Sequence, residues 1–333
     1  MPAEIHIGLN EDSLPLLATE EIAIEAERLG FAGIWTPENR ERSGFVTSTF
    51  WGARVPRLKL GIGILPARAR SPHSIALDAM TVQEATGGRF ILGLGSSGGG
   101  PAWGTPDDHP IAAMADYLQT VRALVAGEQV HYRGKTLSLA GDQILLDGVP
   151  PVPVYLGALG PRMIALAGRH ADGVLLNWTD EARTAFARET IAREAAAHGR
   201  DPAKVVIAGY IRMSVDEDAG RARQAIAAQT LKFWRMAHYR TAWEQMGFGE
   251  ASALAQAGLR SGDLERAANS LPDDFVRAVS AFGTPEMAAR RFAELASGLD
   301  LAIARVIPAR PGRDGVLAVL HALAPLVAAS QPA

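Results

Sequence analysis

A glycine-rich turn between two apolar segments is the first place where this sequence could bind a ligand. Val152–Leu156 is a short run of strand-forming residues, and the run Gly157–Arg162 (GALGPR) follows it directly. Glycines followed by a proline at the start of a helix predict a tight strand-to-helix turn. The first N–H groups of a helix have no intrahelical acceptor, so such a turn can bind a phosphate or another anion. The same turn also simply joins a strand to a helix in many proteins, and the spacing alone leaves both interpretations open.

Glu38 and Asn39 are the polar residues best placed for acid–base chemistry. They follow the apolar segment Ala32–Thr36, and Glu38 is the only carboxylate directly after an inner strand in the first half of the chain. It could donate or accept a proton near a bound ligand. It could instead form an ion pair with Arg40 or Arg42, because loop carboxylates commonly pair with local arginines.

Composition disfavours several other classes of site. The absence of cysteine excludes disulfides, thiolate catalysis and cysteine-bound metals. The 8 histidines are scattered without the spacing of metal ligands, and no two carboxylates face each other, so we expect neither a metal site nor a glycoside hydrolase. A formal charge of -3 gives no basic surface for nucleic acid. No apolar stretch approaches the roughly 20 residues of a membrane helix, and the first residues do not resemble a signal peptide, which predicts a cytoplasmic protein without a membrane segment.

The segment Gly93–Gly98 matches the G-x-G-x-x-G pattern of dinucleotide-binding folds. That fingerprint requires a helix to begin within the turn. Here the glycines and prolines between Gly99 and Pro110 prevent an immediate helix, so we do not interpret the pattern as a Rossmann site.

The elements that must position these residues alternate between strands and helices. Roughly eight short apolar strands with helices between them predict an α/β fold, a parallel sheet closed into a (β/α)8 TIM barrel. No linker divides residues 1–333, so we expect one domain with insertions around 96–110, 129–139 and 217–280. Active sites of such barrels lie at the C-terminal ends of the strands. The residues at these ends are Asn10, Glu38, Asn39, Leu65, Gly95, Ser96, Ser97, Gly157, Ala158, Asn177, Trp178 and Arg212.

Four motifs follow one another along the chain: Gly87–Gly95 (GGRFILGLG), Gly127–Gly134 (GEQVHYRG), Val154–Pro161 (VYLGALGP) and Ala171–Val174 (ADGV). Together they resemble the bacterial luciferase-like (β/α)8 family of flavin- and deazaflavin-dependent oxidoreductases. The resemblance covers the chain from Ile5 to about Arg305. The segment Leu9–Asp12 and the turn after Leu156 are most similar to the coenzyme F420-dependent branch, which includes methylenetetrahydromethanopterin reductase.

This resemblance implies an enzyme, usually a homodimer, that holds coenzyme F420, or alternatively FMN, at the mouth of its barrel. It implies a bulge with a non-proline cis peptide at the end of the third strand, where Gly63, Ile64 and Leu65 stand. It further implies that the coenzyme phosphate lies on the Gly157–Arg162 turn. The implied cofactor-binding residues are Asn10, Gly63, Ile64, Leu65, Gly95, Ser96, Ser97, Gly157, Ala158, Leu159, Gly160, Pro161, Arg162, Asn177 and Trp178.

One position departs from the family pattern. Many F420-dependent dehydrogenases have Asp-His after the second strand, with the histidine as catalytic base, whereas this sequence has Glu38-Asn39. An amide cannot accept a proton as an imidazole does. We therefore expect hydride transfer from the deazaflavin C5 to an unsaturated bond of a small organic substrate, with Glu38 and Asn39 as the candidate catalytic residues.

Two other functions remain open, and the substrate is not identified by the sequence. One is an FMN-dependent monooxygenase that uses reduced flavin and O₂. The other is a barrel that binds a ligand without catalysis. Aromatic residues between Phe233 and Trp243, within the last insertion, are predicted to lie either in the core or in a substrate pocket.

Overall fold

The computed structural model describes residues 3–9, 14–39, 41–96 and 109–330. Its strands are β1 (Glu4–Gly8), β2 (Gly33–Thr36), β3 (Lys59–Pro66), β4 (Phe90–Gly95), β5 (Val130–Arg133), β6 (Ser138–Asp142), β7 (Val154–Ala158), β8 (Gly173–Asn177), β9 (Val206–Val215), β10 (Ser280–Gly283) and β11 (Leu301–Val306). Its helices are α1 (Leu16–Arg28), α2 (Gly44–Gly52), α3 (Pro72–Ala85), α4 (Pro110–Val125), α5 (Pro161–His170), α6 (Glu181–Ala197), α7 (Ala219–Trp234), α8 (Ala237–Gln245), α9 (Gly249–Ser261), α10 (Leu264–Asn269), α11 (Asp273–Ala278), α12 (Pro285–Ala296) and α13 (Arg313–Ser330).

The strands β1 to β4, β7 to β9 and β11 alternate with helices as the sequence predicts. They are the eight parallel strands of a (β/α)8 barrel, so the predicted fold class is confirmed. The chain divides into two compact units. The first unit comprises Met1–Phe31, Leu176–Phe186 and Gly209–Ala333, and the second comprises Ala32–Leu175 and Ala187–Ala208. The expectation that residues 1–333 form a single domain stays a prediction.

In the second unit the strand order is β2–β3–β4–β7–β8. Trp35 of β2 lies opposite Gly61 of β3, and a Cβ on that glycine would stand 2.2 Å from the indole, so the register requires glycine there. Between Ile62 and Leu65 the pairing of β3 with β4 shifts by an irregularity, which is the bulge that the family resemblance implies.

In the first unit the strand order is β10–β9–β11–β1. The insertion expected around 217–280 forms helices α7 to α11, whose apolar faces share one core with the end of β8. Trp178, Trp234, Trp243 and Phe275 are the largest side chains of that core, and each is at most 2% exposed. Most aromatics of the insertion thus pack into the interior of this unit.

The insertion expected around 129–139 is an antiparallel hairpin of β5 and β6, as predicted. Buried Asp116 of α4 holds it in place by accepting hydrogen bonds from the Tyr132 hydroxyl (2.8 Å) and the Thr136 N–H (2.6 Å). Gly134 lies so close that a Cβ there would stand 2.3 Å from the Asp116 carboxylate. Burial opposes ionisation of Asp116, but these hydrogen bonds hold its pKa below the usual value.

Two further motifs of the family resemblance act as structural anchors. Arg89 of the GGR motif donates to the carbonyls of Val55 (2.8 Å) and Thr86 (2.8 Å). It thus gives hydrogen-bond partners to a backbone carbonyl after α2 and to one at the end of α3. Asp172 of the ADG motif binds Arg122 at 2.6 Å and accepts from the Val154 N–H at 3.0 Å. Arg89 and Asp172 therefore have structural roles in these two motifs.

Among the described helices, α13 alone is long and apolar enough to pass a length-and-composition test for a membrane span. Core helices pass the same test, and Val319, Leu320 and Leu323 of α13 are fully buried. The expected absence of a membrane segment therefore stays a prediction.

Candidate active site

The bulge at the end of β3 brings three of the predicted cofactor-binding residues into contact. The Gly63–Ile64 peptide bond is cis, as the resemblance implies. Ile64 packs against the ends of β4 and β7, because a Cβ on Gly95 would lie 2.8 Å from its Cδ1 and one on Gly157 would lie 2.9 Å from its Cγ2. Glycine at both positions makes room for the Ile64 side chain, which lies against the two strand ends. An apolar surface of this kind can receive a flat ring.

The turn after β7 leaves the N-terminus of α5 open. Gly160 is the residue before the helix, with ordinary extended backbone angles, and no side chain caps the helix there. A Cβ on Gly160 would meet nothing within 4 Å. Pro161 has no N–H to satisfy, and Arg162 is exposed beside it. The N–H groups of Met163 and Ile164 donate to the Gly160 carbonyl at 3.0 Å each, so this helix end offers an anion the Arg162 N–H, the positive end of the helix dipole and open space.

Glu38 is buried and partnered on both carboxylate oxygens. Its Oε1 accepts a hydrogen bond from Arg70, which lies in the loop after β3, and its Oε2 accepts from the Gly44 N–H at 3.1 Å. Its backbone N–H donates to the Ile64 carbonyl at 3.2 Å, which ties the loop after β2 to the bulge. Arg70 also stacks over the Phe45 ring at 5.5 Å. The sequence offered Arg40 or Arg42 as ion-pair partners; the structure shows a pair with Arg70, and Arg40 lies outside the described residues. The pair with Arg70 gives Glu38 a structural role beside the bulge.

Asn39 stabilises the loop that follows. Its side-chain oxygen accepts from the backbone N–H groups of Glu41 (2.8 Å) and Arg42 (3.2 Å), which is an Asx turn. The amide is half-buried. Since the oxygen is already used, the group that Asn39 can offer to a ligand is its NH₂, a hydrogen-bond donor.

In the first unit, Asn177 and Trp178 at the end of β8 surround a buried arginine. The Asn177 side chain accepts from Arg212 and donates to the Tyr239 hydroxyl at 2.7 Å. The Arg212 guanidinium lies over the Trp178 ring at 4.0 Å and over the Phe233 ring at 5.3 Å. Trp178 has a positive φ of 52°, which turns its side chain under the arginine. Burial lowers the pKa of Arg212 to about 9, so the group stays charged at neutral pH.

The structure places the predicted residues in two groups. Ile64 contacts Glu38, Gly95 and Gly157 in the second unit, and Asn177 and Trp178 both contact Arg212 in the first. Leu65 is fully buried opposite Leu94 of β4. Ser96, Ala158 and Leu159 continue the ends of β4 and β7. Asn10 and Ser97, together with Arg40 and most of the insertion around 96–110, lie outside the described residues.

Sequence reasoning placed Arg212 at a strand end without giving it a role, and it missed Tyr210 and Arg305. The signal was present, since Arg212 and Arg305 interrupt the apolar runs of β9 and β11. A charged residue inside a barrel strand requires a partner or a ligand.

A family model described as luciferase-like monooxygenase matches residues 1–300 of the chain. The chain belongs to this luciferase-like family. The sequence-based assignment to the family is confirmed, and with it the prediction that the protein is an enzyme, an oxidoreductase.

Individual relatives connect this luciferase-like protein to its F420-dependent branch. The 5,10-methylenetetrahydromethanopterin reductase of Methanolobus tindarius is 30% identical over 302 residues, which cover 89% of this chain and 91% of the relative. The structure of the coenzyme F420-dependent tetrahydromethanopterin reductase from Methanopyrus kandleri has a TM-score of 0.77 at 22% identity and covers 98% of this chain and 100% of that one. The EDTA monooxygenase from Chelativorans sp. BNC1 shares the fold with a TM-score of 0.73 at 13% identity, covering 99% and 94% of the two chains.

Proposed function

We propose that this luciferase-like oxidoreductase uses coenzyme F420 to transfer a hydride to or from a small organic substrate, and that it reduces an unsaturated bond. The observation that carries the proposal is the similarity to a methylenetetrahydromethanopterin reductase along nine tenths of both chains. The solved reductase with the same fold is F420-dependent. The absence of a histidine at position 39 favours reduction over the oxidation of an alcohol, because no imidazole base is available there.

The residues present fit such a coenzyme. Ile64, Gly95 and Gly157 would lie against its flat ring, since Ile64 packs on the two glycines at the ends of β4 and β7. Gly160 and Arg162 at the start of α5 would hold its phosphate, because none of the described side chains caps this helix end. When bound, F420 supplies a two-electron hydride donor and acceptor.

The chain's own groups then have defined tasks. Arg70 and the Gly44 N–H fix the Glu38 carboxylate beside the bulge, so Glu38 orients the loop after β2. The NH₂ group of Asn39 can donate a hydrogen bond to a ligand oxygen. The packed core around Trp178 supports Arg212 and excludes water behind it.

Titration of the purified protein with F420 and, separately, with FMN tests the proposal by cofactor fluorescence. We expect saturable F420 binding, and oxidation of reduced F420 upon addition of an unsaturated substrate. Binding of FMN without F420 would contradict the proposal and support the second candidate, an FMN-dependent monooxygenase, which is favoured by the family description and by the EDTA monooxygenase fold. Binding of neither would support a ligand-binding barrel without catalysis.

The homodimer and the cytoplasmic location belong to the same proposal, since both come from the family resemblance and the sequence. Sedimentation equilibrium of the purified chain, whose monomer mass is 35.3 kDa, tests the first. A monomer at micromolar concentration would contradict it.

A further inference from the structure

Arg212 is a buried cation without a carboxylate partner in the part of the chain that the structure describes. It is 5% exposed, and its Nη1 donates a hydrogen bond to the neutral side chain of Asn177. The rings of Trp178 and Phe233 stack on its faces but carry no counter-charge. A buried guanidinium normally pairs with an acid or binds an anionic ligand, because the desolvated charge is otherwise unfavourable.

One hydrogen-bonding edge of Arg212 contains an N–H group without an acceptor. Its Nε is fully buried and has no acceptor. With Nη1 committed to Asn177, the edge formed by Nε and Nη2 is left for a ligand. Two parallel N–H groups on this edge match the two oxygens of a carboxylate, which is the bidentate arrangement that arginine favours.

A second buried arginine makes this region still more positive. Arg305 of β11 is 8% exposed, donates to the Leu9 carbonyl and lies 5.9 Å from the Tyr210 ring. Its side chain and that of Tyr210 fill the space beside Gly8, where a Cβ would lie 3.1 Å from Tyr210 and 3.4 Å from Arg305. Because successive side chains of a strand point to opposite faces, residues 210 and 212 lie on the same side of β9. The inner layers of barrel strands are normally filled by apolar side chains, so two arginines here need a reason.

We propose that Arg212, supported by the positive charge of Arg305, binds a carboxylate group of the substrate at the C-terminal ends of β9 and β11. The assignment of this ligand as the substrate rests on the proposed oxidoreductase function. The binding site itself does not, because the arginines, their aromatic neighbours and the unused edge are independent of any coenzyme. Asn177 and Tyr239 position the guanidinium, because Nη1 donates to the Asn177 side-chain oxygen and the Asn177 NH₂ donates to the Tyr239 hydroxyl.

Calorimetric titration of the protein without coenzyme tests the site directly. The probes are benzoate, its neutral analogue benzamide, and phenylphosphate. We expect benzoate to bind at least about tenfold more tightly than benzamide, since charge-assisted bidentate hydrogen bonds are lost with the amide. Arg212→Gln should reduce this ratio to near one. The matched control is Arg277→Gln, which removes an exposed arginine that also stacks on a ring, that of Phe282 at 4.9 Å, and should leave the ratio unchanged.

Equal binding of benzoate and benzamide by the unaltered protein would overturn the proposal, as would tight binding of phenylphosphate alone. An unchanged ratio in Arg212→Gln would also overturn it. Should that variant fail to fold, Arg212→Lys keeps the charge without the planar fork and should lower the ratio at least threefold; an unchanged ratio would again refute the site. A protein that binds F420 but not benzoate leaves the oxidoreductase function intact, and one that binds benzoate but no coenzyme leaves the site intact, so the two failures are distinguishable.

Discussion

Replacing Gly160 by aspartate should separate the stability of α5 from its proposed role in binding a phosphate. The backbone at Gly160 has φ -95° and ψ 158°, which any residue adopts, and nothing lies within 4 Å of the added Cβ. Aspartate is among the best residues before the first turn of a helix, because its carboxylate accepts from the free N–H groups. We therefore expect Gly160→Asp to be neutral or to raise the free energy of unfolding by a few tenths of a kcal/mol.

The same substitution should weaken coenzyme binding. The new carboxylate would occupy the N–H groups of the turn and would stand about 5 Å from a bound phosphate, where two unit charges repel by roughly 1 kcal/mol in water and about 3 kcal/mol at an effective dielectric constant of 20. That range corresponds to a loss of affinity of about 5-fold to 150-fold. The variant would thus be as stable as the parent protein and yet bind F420 poorly.

Fluorescence titration with F420 measures the dissociation constant, and urea denaturation measures stability. Gly160→Asn is the matched control, since it offers a similar cap without charge, and the difference between the two variants isolates the electrostatic part. That difference should shrink in 0.5 M salt, because the Debye length there falls well below its value of about 8 Å at physiological ionic strength. An unchanged dissociation constant in Gly160→Asp would remove this turn from the coenzyme site, and equal effects of Asp and Asn would refute the charge argument.

Two further predictions concern buried carboxylates. Glu38→Gln should lower the free energy of unfolding by about 1–3 kcal/mol, because Arg70 loses its charged partner, and the double variant with Arg70→Gln should lose less than the sum of the two single variants in urea denaturation; additive losses would show that the pair is not coupled. The pKa of Asp116 is lowered in the folded protein by its hydrogen bonds to Thr136 and Tyr132, so its stabilising contribution is complete above the unfolded value near 4 and is lost as the pH falls below it. The stability deficit of Asp116→Asn should therefore be about 2 kcal/mol at pH 7 and smaller at pH 3, and a deficit independent of pH would contradict this assignment.

The sequence alone was sufficient to predict the fold and to place the candidate site residues at the strand ends. Apolar strands alternating with amphipathic helices can bury their faces only in a helix-covered parallel sheet, and in such a sheet the strand C-termini lie at one end. The glycines at 95 and 157 were recognised at strand ends, and the structure supplies the reason, since each accommodates Ile64. Local signals were sufficient for these features because periodicity, glycine and proline act within a few residues.

The partners of the charged groups depend on how the chain packs in three dimensions. Glu38 pairs with Arg70, 32 positions away. Arg212 donates to Asn177 of another element, which in turn donates to Tyr239. The aromatics of the last insertion became core because helices α7 to α11 enclose them. Burial and pairing are properties of the packed chain, and a sequence pattern carries no information about which distant side chain will share a desolvated site. The chemistry at Arg212 was therefore visible only once its surroundings were known.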